Sequence, residues 1–368
     1  MLVPGVNAVI REVVMMLSMY GVEKIFGIPG GFAGMGAAGK WLDLSPKVVQ
    51  DIHEVGGSIL VSTDMADDHP QDEHILSLKR QGVTHLYVIG NALTLKGAQR
   101  VNALLQENDW ECSVIGIPKS IENSIPMNQR PFGFDTACTE AEKAIDAAYV
   151  EATCNHSIGL VKLMGKHCGS IVQNAVLAAR NVDIVLLPEM TISVQKVCDH
   201  CLHLTQTKGY AVIVIADGCN LDGAADVGIY LRDKIMARYK EVELPMNLKY
   251  IDPTYMIRAV KANANDTVYC AALAHNAVHA AMSGFTDVTV AQVQQAFVLL
   301  PTDCITKQPL KKVDLKGQMF MDLLSTTLQP DLAPADAPAP APVEASGLNL
   351  DDVTEPIELV KVMSPDDE

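Results

Sequence analysis

Short aliphatic runs alternate with amphipathic stretches from Pro4 to Cys304, and this alternation most limits how the chain can fold. The apolar runs are rich in β-branched residues and too short for buried helices, so they indicate strands. Strands separated by helices indicate a mostly parallel sheet covered on both faces, which is α/β architecture. The predicted strands are residues 24–28, 85–89, 113–117, 158–163, 184–187 and 211–216.

The charge of the chain is unevenly distributed along its length. Of the formal net charge of −16, residues 329–368 carry −9, from ten acids and one lysine, and the remaining body carries −7. A body without a basic excess lacks the electrostatic basis of nucleic-acid binding. No apolar run approaches the roughly 18–20 residues that span a bilayer. We therefore predict neither a nucleic-acid partner nor a membrane partner.

The nine cysteines are odd in number and scattered, which favours reduced thiols in an intracellular protein. Cytoplasm is the default location, and an organelle would require a targeting segment on a longer N-terminus. Residues 198–203 read Cys-Asp-His-Cys-Leu-His, and these residue types ligate zinc. Because no second pair stands at a zinc-like spacing, we interpret this run as a helix surface and predict no metal there.

A change of composition divides the chain into residues 1–328, a folded body, and residues 329–368, a tail. Residues 331–343 consist mainly of alanine and proline, which cannot bury a core and favour an extended linker. Beyond them, residues 357–363 (Ile-Glu-Leu-Val-Lys-Val-Met) could add a strand to a sheet edge. We predict a disordered acidic tail, with strand addition as the alternative.

Polar loops follow three of the strand-like runs. Residues 118–124 read Pro-Lys-Ser-Ile-Glu-Asn-Ser, residues 163–169 read Leu-Met-Gly-Lys-His-Cys-Gly, and residues 250–258 read Tyr-Ile-Asp-Pro-Thr-Tyr-Met-Ile-Arg. Loops at the carboxyl ends of parallel strands are where open α/β sheets bind ligands. We predict that these three loops line one cleft.

With these loops in place, the sequence resembles the phosphofructokinase family, in particular the plant-type ATP-dependent 6-phosphofructokinases. The resemblance covers roughly residues 3–306. It implies a phosphofructokinase-like body of two similar lobes, with mostly parallel sheets sandwiched by helices and an active site between the lobes. It also implies a kinase of glycolysis that transfers the γ-phosphoryl of ATP, with Mg²⁺, or in relatives of pyrophosphate, to fructose 6-phosphate. Further matching stretches are residues 4–11 (Pro-Gly-Val-Asn-Ala-Val-Ile-Arg), 132–137 (Phe-Gly-Phe-Asp-Thr-Ala) and 187–189 (Leu-Pro-Glu).

On the donor side the sequence departs from the family pattern. The family's phosphate turn Gly-Gly-Asp-Gly-Thr corresponds to residues 90–94, in which Gly90 and Thr94 are kept as nucleotide-binding candidates. Ala92 replaces the acid that holds Mg²⁺, so we predict no metal ligand here, and Leu93 replaces a glycine that admits the phosphates. The family's first strand, with its paired glycines, has no counterpart before Pro4. Where the family has an arginine after Val-Ser, this chain has Thr63 and Asp64.

The catalytic loop is also changed. The family pattern Pro-Lys-Thr-Ile-Asp-Asn-Asp implies that the first aspartate takes the proton of the attacking hydroxyl, and Glu122 stands at that position. Its extra methylene shifts the carboxylate, and a misplacement of ~1 Å can cost about a hundredfold in rate. Ser124 replaces the second aspartate, whereas Ser120 stands in the substrate-binding part of the loop.

The sugar side matches the family better. Met164 and Gly165 form the family's turn, and Lys166 replaces an arginine, which keeps the charge but loses the planar fork. By the resemblance, Glu189 binds the hexose. The group that the resemblance assigns to the 6-phosphate is Lys249, Tyr255 and Arg258.

The losses fall on donor, metal and base positions, while the acceptor positions are mostly kept. The leading hypothesis is a catalytically impaired homologue, a pseudoenzyme that binds fructose 6-phosphate. We expect it to form a homo-oligomer, or a hetero-oligomer in which it is the non-catalytic subunit beside an active paralogue. Two alternatives stay open: an active 6-phosphofructokinase with an altered donor site and Glu122 as base, and a structural or interaction protein.

Overall fold

Two four-stranded sheets organise the fold in the computed structural model of the chain, which describes residues 2–36, 40–61 and 70–334. A separate pair of short strands forms a third, two-stranded sheet. The strands are β1 Ile25–Gly27, β2 Leu42–Leu44, β3 His85–Gly90, β4 Ser113–Pro118, β5 Ile158–Leu163, β6 Ile184–Leu186, β7 Ala211–Ala216, β8 Leu248–Ile251, β9 Val288–Val293 and β10 Ala296–Pro301.

Helices connect most of these strands. Within the described residues, no helix combines the length and the apolar character needed to cross a membrane. The α-helices are α1 Val6–Met19, α2 Pro46–Val49, α3 Asp72–Gln81, α4 Ala92–Glu107, α5 Phe134–Asn155, α6 Ser170–Ala179, α7 Val194–Lys208, α8 Val227–Glu241, α9 Thr254–Ala259, α10 Ala264–Met282, α11 Thr302–Thr306 and α12 Gln318–Thr326. Short 3₁₀ turns occupy Gly31–Gly36 and Ile52–Glu54.

The first sheet has the order β10-β9-β4-β3, and helices cover both of its faces. Side chains alternate along β4: Val114 packs in one apolar cluster with α4, whereas Ile115 and Ile117 pack in another with α1 and α10. This alternation follows from the two-residue period of a strand. A strand that is buried on both sides lies between helices, as the sequence predicts.

The second sheet has the order β6-β7-β5-β8, and all of its strand pairs are parallel. Every residue of β7 is buried, which explains its uninterrupted run Ala-Val-Ile-Val-Ile-Ala. Helices α5 and α6 pack against each other beside this sheet, and so do α7 and α8. The predicted α/β fold with helix-covered, mostly parallel sheets is confirmed.

The predicted strand set omits β2 and β8, and two further features differ from it. The run at 24–28 forms β1, but β1 pairs antiparallel with β2 instead of joining a parallel sheet. In addition, β9 and β10 form an antiparallel hairpin that the sequence analysis missed. Its two turn residues, Gln294 and Gln295, have φ of 48° and 68°. Such two-residue turns usually contain Asn-Gly, so Gln-Gln carries no recognisable signal.

The N-termini of α5 and α10 stabilise each other. The N-cap of α5, Gly133, has no side chain to accept hydrogen bonds. Instead, fully buried Asp266 accepts from the Thr136 backbone N–H at 2.7 Å and from the Thr136 hydroxyl at 2.6 Å. Asn263 caps α10, and its own N–H donates to the same hydroxyl at 3.0 Å. One helix therefore supplies the cap that the other lacks.

The folded body extends slightly beyond residue 328. The Gln329 side chain accepts from the Val185 N–H at 2.7 Å, and the Leu332 carbonyl accepts from the Ser193 N–H at 2.9 Å. The unit that contains both sheets ends at Ala333. Residues 335–368, with most of the predicted linker and tail, lie outside the described residues.

The exchange of caps predicts a large effect of Asp266→Ala on stability. The substitution leaves the Thr136 N–H and hydroxyl without their buried acceptor, so we expect a loss of about 2–4 kcal/mol in the free energy of unfolding. Asp266→Asn keeps one acceptor oxygen and should lose less. Asp233→Ala, at an exposed ion pair with Arg232, should change it by less than about 1 kcal/mol. Denaturant unfolding of the four proteins measures this, and equal losses for Asp266→Ala and Asp233→Ala would contradict it.

Candidate functional site

Polar residues follow the carboxyl ends of all four strands of the second sheet. Glu189 comes after β6, Asp217 after β7, Lys166 after β5 and Asp252 after β8. Because the strands are parallel, these ends meet at one edge of the sheet. That edge is where open α/β sheets bind their ligands.

The loop after β4 reaches from the first sheet to this edge. Its residue Glu122 is buried, and its two carboxylate oxygens accept from the backbone N–H groups of Lys166 and His167, both at 3.2 Å. Within the loop, the Ser120 hydroxyl accepts from the Glu122 N–H at 3.2 Å and lies 3.4 Å from the Ser124 hydroxyl. Hydrogen bonds thus join residues 118–124 to the Met-Gly-Lys turn.

The turn itself is held by an acid that the sequence analysis missed. Asp217 accepts from the Gly165 N–H at 2.8 Å. A side chain at Gly165 would bring its Cβ within 3.0 Å of the Cys168 carbonyl oxygen, so the turn requires glycine. Met164 is buried beside it. The available signal was position: Asp217 is the first polar residue after the buried strand β7.

Burial dominates the electrostatics of the cleft. It raises the pKa of Glu122, and the nearby Asp217 carboxylate adds to the rise, while the N–H groups of His167 and Lys166 oppose it. Burial likewise raises the pKa of Asp217 against the Gly165 N–H and the charges of Lys162 and Lys166. Both carboxyls therefore keep their protons to higher pH than exposed acids do.

Glu189 presents an oxygen without a partner. One carboxylate oxygen accepts from the N–H groups of Gly169, at 3.0 Å, and Val313, at 2.9 Å. The other oxygen is buried and has no hydrogen-bond donor among the described residues. A buried acceptor without a donor costs about 1–3 kcal/mol, so a hydroxyl group of a ligand would be stabilised here.

Arg258 and Tyr255 lie on α9, just after the end of β8. The guanidinium stacks over the Tyr255 ring at 5.2 Å from its centroid. Its Nε is buried without an acceptor, and in the described part of the chain no carboxylate lies within ion-pair distance of it. An unpaired, stacked guanidinium is suited to binding a phosphate in two-point fashion.

Lys249 does not lie beside the other candidate site residues at the carboxyl ends of the strands. It lies on β8 opposite Gly159, the second residue of β5, and its Nζ is 3.8 Å from a Glu151 carboxylate oxygen. The turn residue Met164 is five positions further along β5, which corresponds to about 16 Å. Lys166 does lie at the cleft: its backbone binds Glu122, and its side chain is exposed.

The donor-side residues do not fit ATP·Mg²⁺. Helix α4 begins at Ala92, and the Asn91 side chain accepts from the N–H and hydroxyl of Thr94, both at 3.1 Å. Leu93 is 75% exposed, and a Cβ at Gly90 would overlap Thr94. Ala92 offers no oxygen to a hard cation. Thr63 and Asp64 lie outside the described residues.

Known proteins resemble the chain over most of its length. The family model Phosphofructokinase matches residues 2–281. ATP-dependent 6-phosphofructokinase 7 of Arabidopsis thaliana is 40% identical over 358 residues, covering 91% of this chain and 73% of the relative. The chloroplastic ATP-dependent 6-phosphofructokinase 5 of the same plant is 39% identical over 350 residues, but the chain spans only 64% of its length.

Solved structures agree with this similarity at the level of the fold. The pyrophosphate-dependent phosphofructokinase from Marinobacter aquaeolei superposes with a TM-score of 0.77 at 18% identity, covering 92% of this chain and 91% of that one. The pyrophosphate-dependent phosphofructokinase from Nitrosospira multiformis gives a TM-score of 0.76 at 18% identity, with the same coverage.

The raised pKa of Glu122 predicts how Glu122→Gln changes stability with pH. The folded state holds the Glu122 proton more tightly than the unfolded state, so this contribution is complete below the ordinary glutamate pKa of about 4.3 and is lost as pH rises through the folded pKa. The stability of the wild-type protein relative to Glu122→Gln should therefore fall as pH rises above about 4. Denaturation midpoints across this range test it, and a difference that stays constant or grows with pH would contradict it.

Proposed function

The chain belongs to the phosphofructokinase family, and from that premise we propose that it binds fructose 6-phosphate in the cleft but transfers phosphoryl groups weakly or not at all. The observation that carries this proposal is an asymmetry between the two sides of the cleft. On the acceptor side, Glu189 and Arg258 keep buried polar atoms without partners. On the donor side, Ala92 and Leu93 stand in a helix that Asn91 caps.

In this proposal, different residues on the acceptor side bind different groups of fructose 6-phosphate. The Arg258 guanidinium and the Tyr255 hydroxyl bind the 6-phosphate, because a fork of N–H donors matches phosphate oxygens. The buried Glu189 oxygen that lacks a partner accepts from a hexose hydroxyl, and the exposed Lys166 ammonium adds positive charge. None of these contacts requires a nucleotide.

The residues that would catalyse phosphoryl transfer are the ones least suited to their task. Each Glu122 carboxylate oxygen already accepts a hydrogen bond from a backbone N–H at the Met-Gly-Lys turn. Moving this carboxylate to a sugar hydroxyl would break contacts that its burial makes necessary. Ser124 and Ala92 supply no charge for a metal. We therefore assign Glu122 a structural role between the two sheets.

One observation favours the alternative of an active enzyme. The raised pKa of Glu122 makes its ionised form a stronger base than an ordinary glutamate, and general bases work best near the operating pH. In that case the protein forms fructose 1,6-bisphosphate from a phosphoryl donor, and Glu122→Gln abolishes the reaction.

We also propose that the protein works as an oligomer, because Lys249 does not reach the cleft of its own chain. The resemblance assigns this lysine to the 6-phosphate, and a site shared between copies would reconcile that role with its position on β8. The partner is a second copy or an active paralogue. If the activity and regulation of a co-purified paralogue were the same with and without this chain, the non-catalytic subunit role would be excluded. A cytoplasmic location remains a prediction.

Calorimetric titration tests the proposed function. We expect the protein to bind fructose 6-phosphate and to give no binding heat with Mg·ATP. Arg258→Met should weaken sugar-phosphate binding at least about tenfold, which equals about 1.4 kcal/mol. The matched control is Arg232→Met, at an exposed ion pair with Asp233, and it should leave the affinity unchanged.

Three results would contradict the proposal. Binding of Mg·ATP together with Glu122-dependent turnover would establish the active enzyme. Absence of fructose 6-phosphate binding would leave a structural or interaction protein. Equal affinity of the wild type and Arg258→Met, with both proteins folded by circular dichroism, would place the sugar phosphate elsewhere.

A further inference from the structure

Lys162 places a charge in the otherwise apolar strand β5, whose sequence is Ile-Gly-Leu-Val-Lys-Leu. This strand lies between β7 and β8, and the Lys162 side chain is 14% exposed. A charge in such a setting requires charged partners. The ammonium lies 2.9 Å from a carboxylate oxygen of Asp252 and 3.2 Å from one of Asp226. Burial acts to lower the pKa of Lys162, but its hydrogen bonds to these two carboxylates outweigh burial and raise it.

Asp252 connects Lys162 to the start of helix α9. One of its carboxylate oxygens binds the ammonium, and the other accepts from the backbone N–H of Thr254, the first residue of α9, at 3.1 Å. Burial acts to raise the pKa of Asp252, but the hydrogen bonds from Thr254 and Lys162 lower it. One ionised carboxylate therefore joins strand β5 to the first turn of α9.

Helix α9 has few other contacts that could fix its position. Of its six described residues only Ile257 is buried, and helices of this length are not stable by themselves. At its far end the helix packs against Gly56, where a Cβ would lie 1.7 Å from the Ala259 carbonyl oxygen. Asp252 thus holds one end of the short helix that carries Arg258, and the contact with Gly56 holds the other.

We propose that Lys162 is a positioning residue for sugar-phosphate binding, which acts through Asp252 to fix the start of α9 and thereby the Arg258 guanidinium. This inference rests on the proposed function, because the position of Arg258 matters only if Arg258 binds the 6-phosphate. Lys162 itself does not contact the ligand, since two carboxylates already bind its ammonium. A binding group that is held in place beforehand loses less freedom when the ligand arrives, so this tether increases affinity.

Calorimetric titration with fructose 6-phosphate tests the positioning role. Lys162→Met should weaken binding at least about fivefold, and Asp252→Asn, which removes the ion pair but keeps an acceptor for the Thr254 N–H, at least about threefold. Lys162→Arg keeps the charge and should stay within about twofold of the wild type. The matched control is Lys208→Met, which removes the ion pair with Asp183 at the amino end of the same sheet and should leave the affinity unchanged.

Two further comparisons separate positioning from a general effect of charge or stability. In an Arg258→Met background, Lys162→Met should weaken binding less than about twofold, because its effect passes through the Arg258 side chain. A lysine that attracted the phosphate directly would weaken binding equally in both backgrounds. Asp226 accepts from the first N–H groups of α8, and Asp226→Asn keeps that cap. It should therefore reduce affinity less than Asp252→Asn.

The outcomes distinguish this proposal from the proposed function. If binding depends on Arg258 but Lys162→Met binds like the wild type, the positioning role is refuted and the proposed function stands. Equal losses in the two Arg258 backgrounds, or in Asp226→Asn and Asp252→Asn, would also refute it. If the wild type does not bind fructose 6-phosphate, or Arg258→Met has no effect, both proposals fail. Should Lys162→Met be unfolded by circular dichroism, Asp252→Asn in the same two backgrounds decides the question.

Discussion

The contact between the Glu122 carboxylate and the N–H groups of Lys166 and His167 is the constraint on which the cleft depends. A buried carboxylate must be hydrogen-bonded, and these donors belong to the other sheet, so the catalytic loop and the Met-Gly-Lys turn hold each other in place. Residues 311–313 bind the same loop through the Ser124 carbonyl and also reach Glu189. The loop, the turn and residues 311–313 therefore form one connected unit that links the two sheets.

The sequence predicts best those parts of the fold in which local pattern and burial coincide. The runs at 158–163 and 211–216 match β5 and β7 residue for residue, because a strand buried on both faces is an uninterrupted apolar run. The residues of one strand do not determine which strand pairs with it. The antiparallel pairing of β1 with β2 therefore could not be predicted from residues 24–28. The β9–β10 hairpin was not predicted because its turn contains Gln294 and Gln295 instead of the usual residues.

The same distinction applies to the site. The resemblance supplied the identities of Glu122, Glu189 and Arg258, and the order of the strands explains why loops distant in sequence meet at one edge. The family resemblance could not predict contacts that depend on side-chain length or on segments distant in sequence. Glu122 lies 44 and 45 positions from the Lys166 and His167 N–H groups that bind it, and Lys311 lies 187 positions from its partner Ser124. The roles of Glu122, Glu189 and Arg258 in binding and catalysis remain predictions.

The exchange of caps between α5 and α10 has a consequence for the order of events during synthesis. Thr136 and Asp266 are separated by 130 positions, and ribosomes add about 5–20 residues per second, so the start of α5 waits on the order of ten seconds for its cap. During that interval the first turn of a long helix must rely on water for its N–H groups. The second sheet, whose strands all precede residue 252, can assemble before the cap arrives. The nascent chain would then complete the cap of α5 only when the start of α10 emerges.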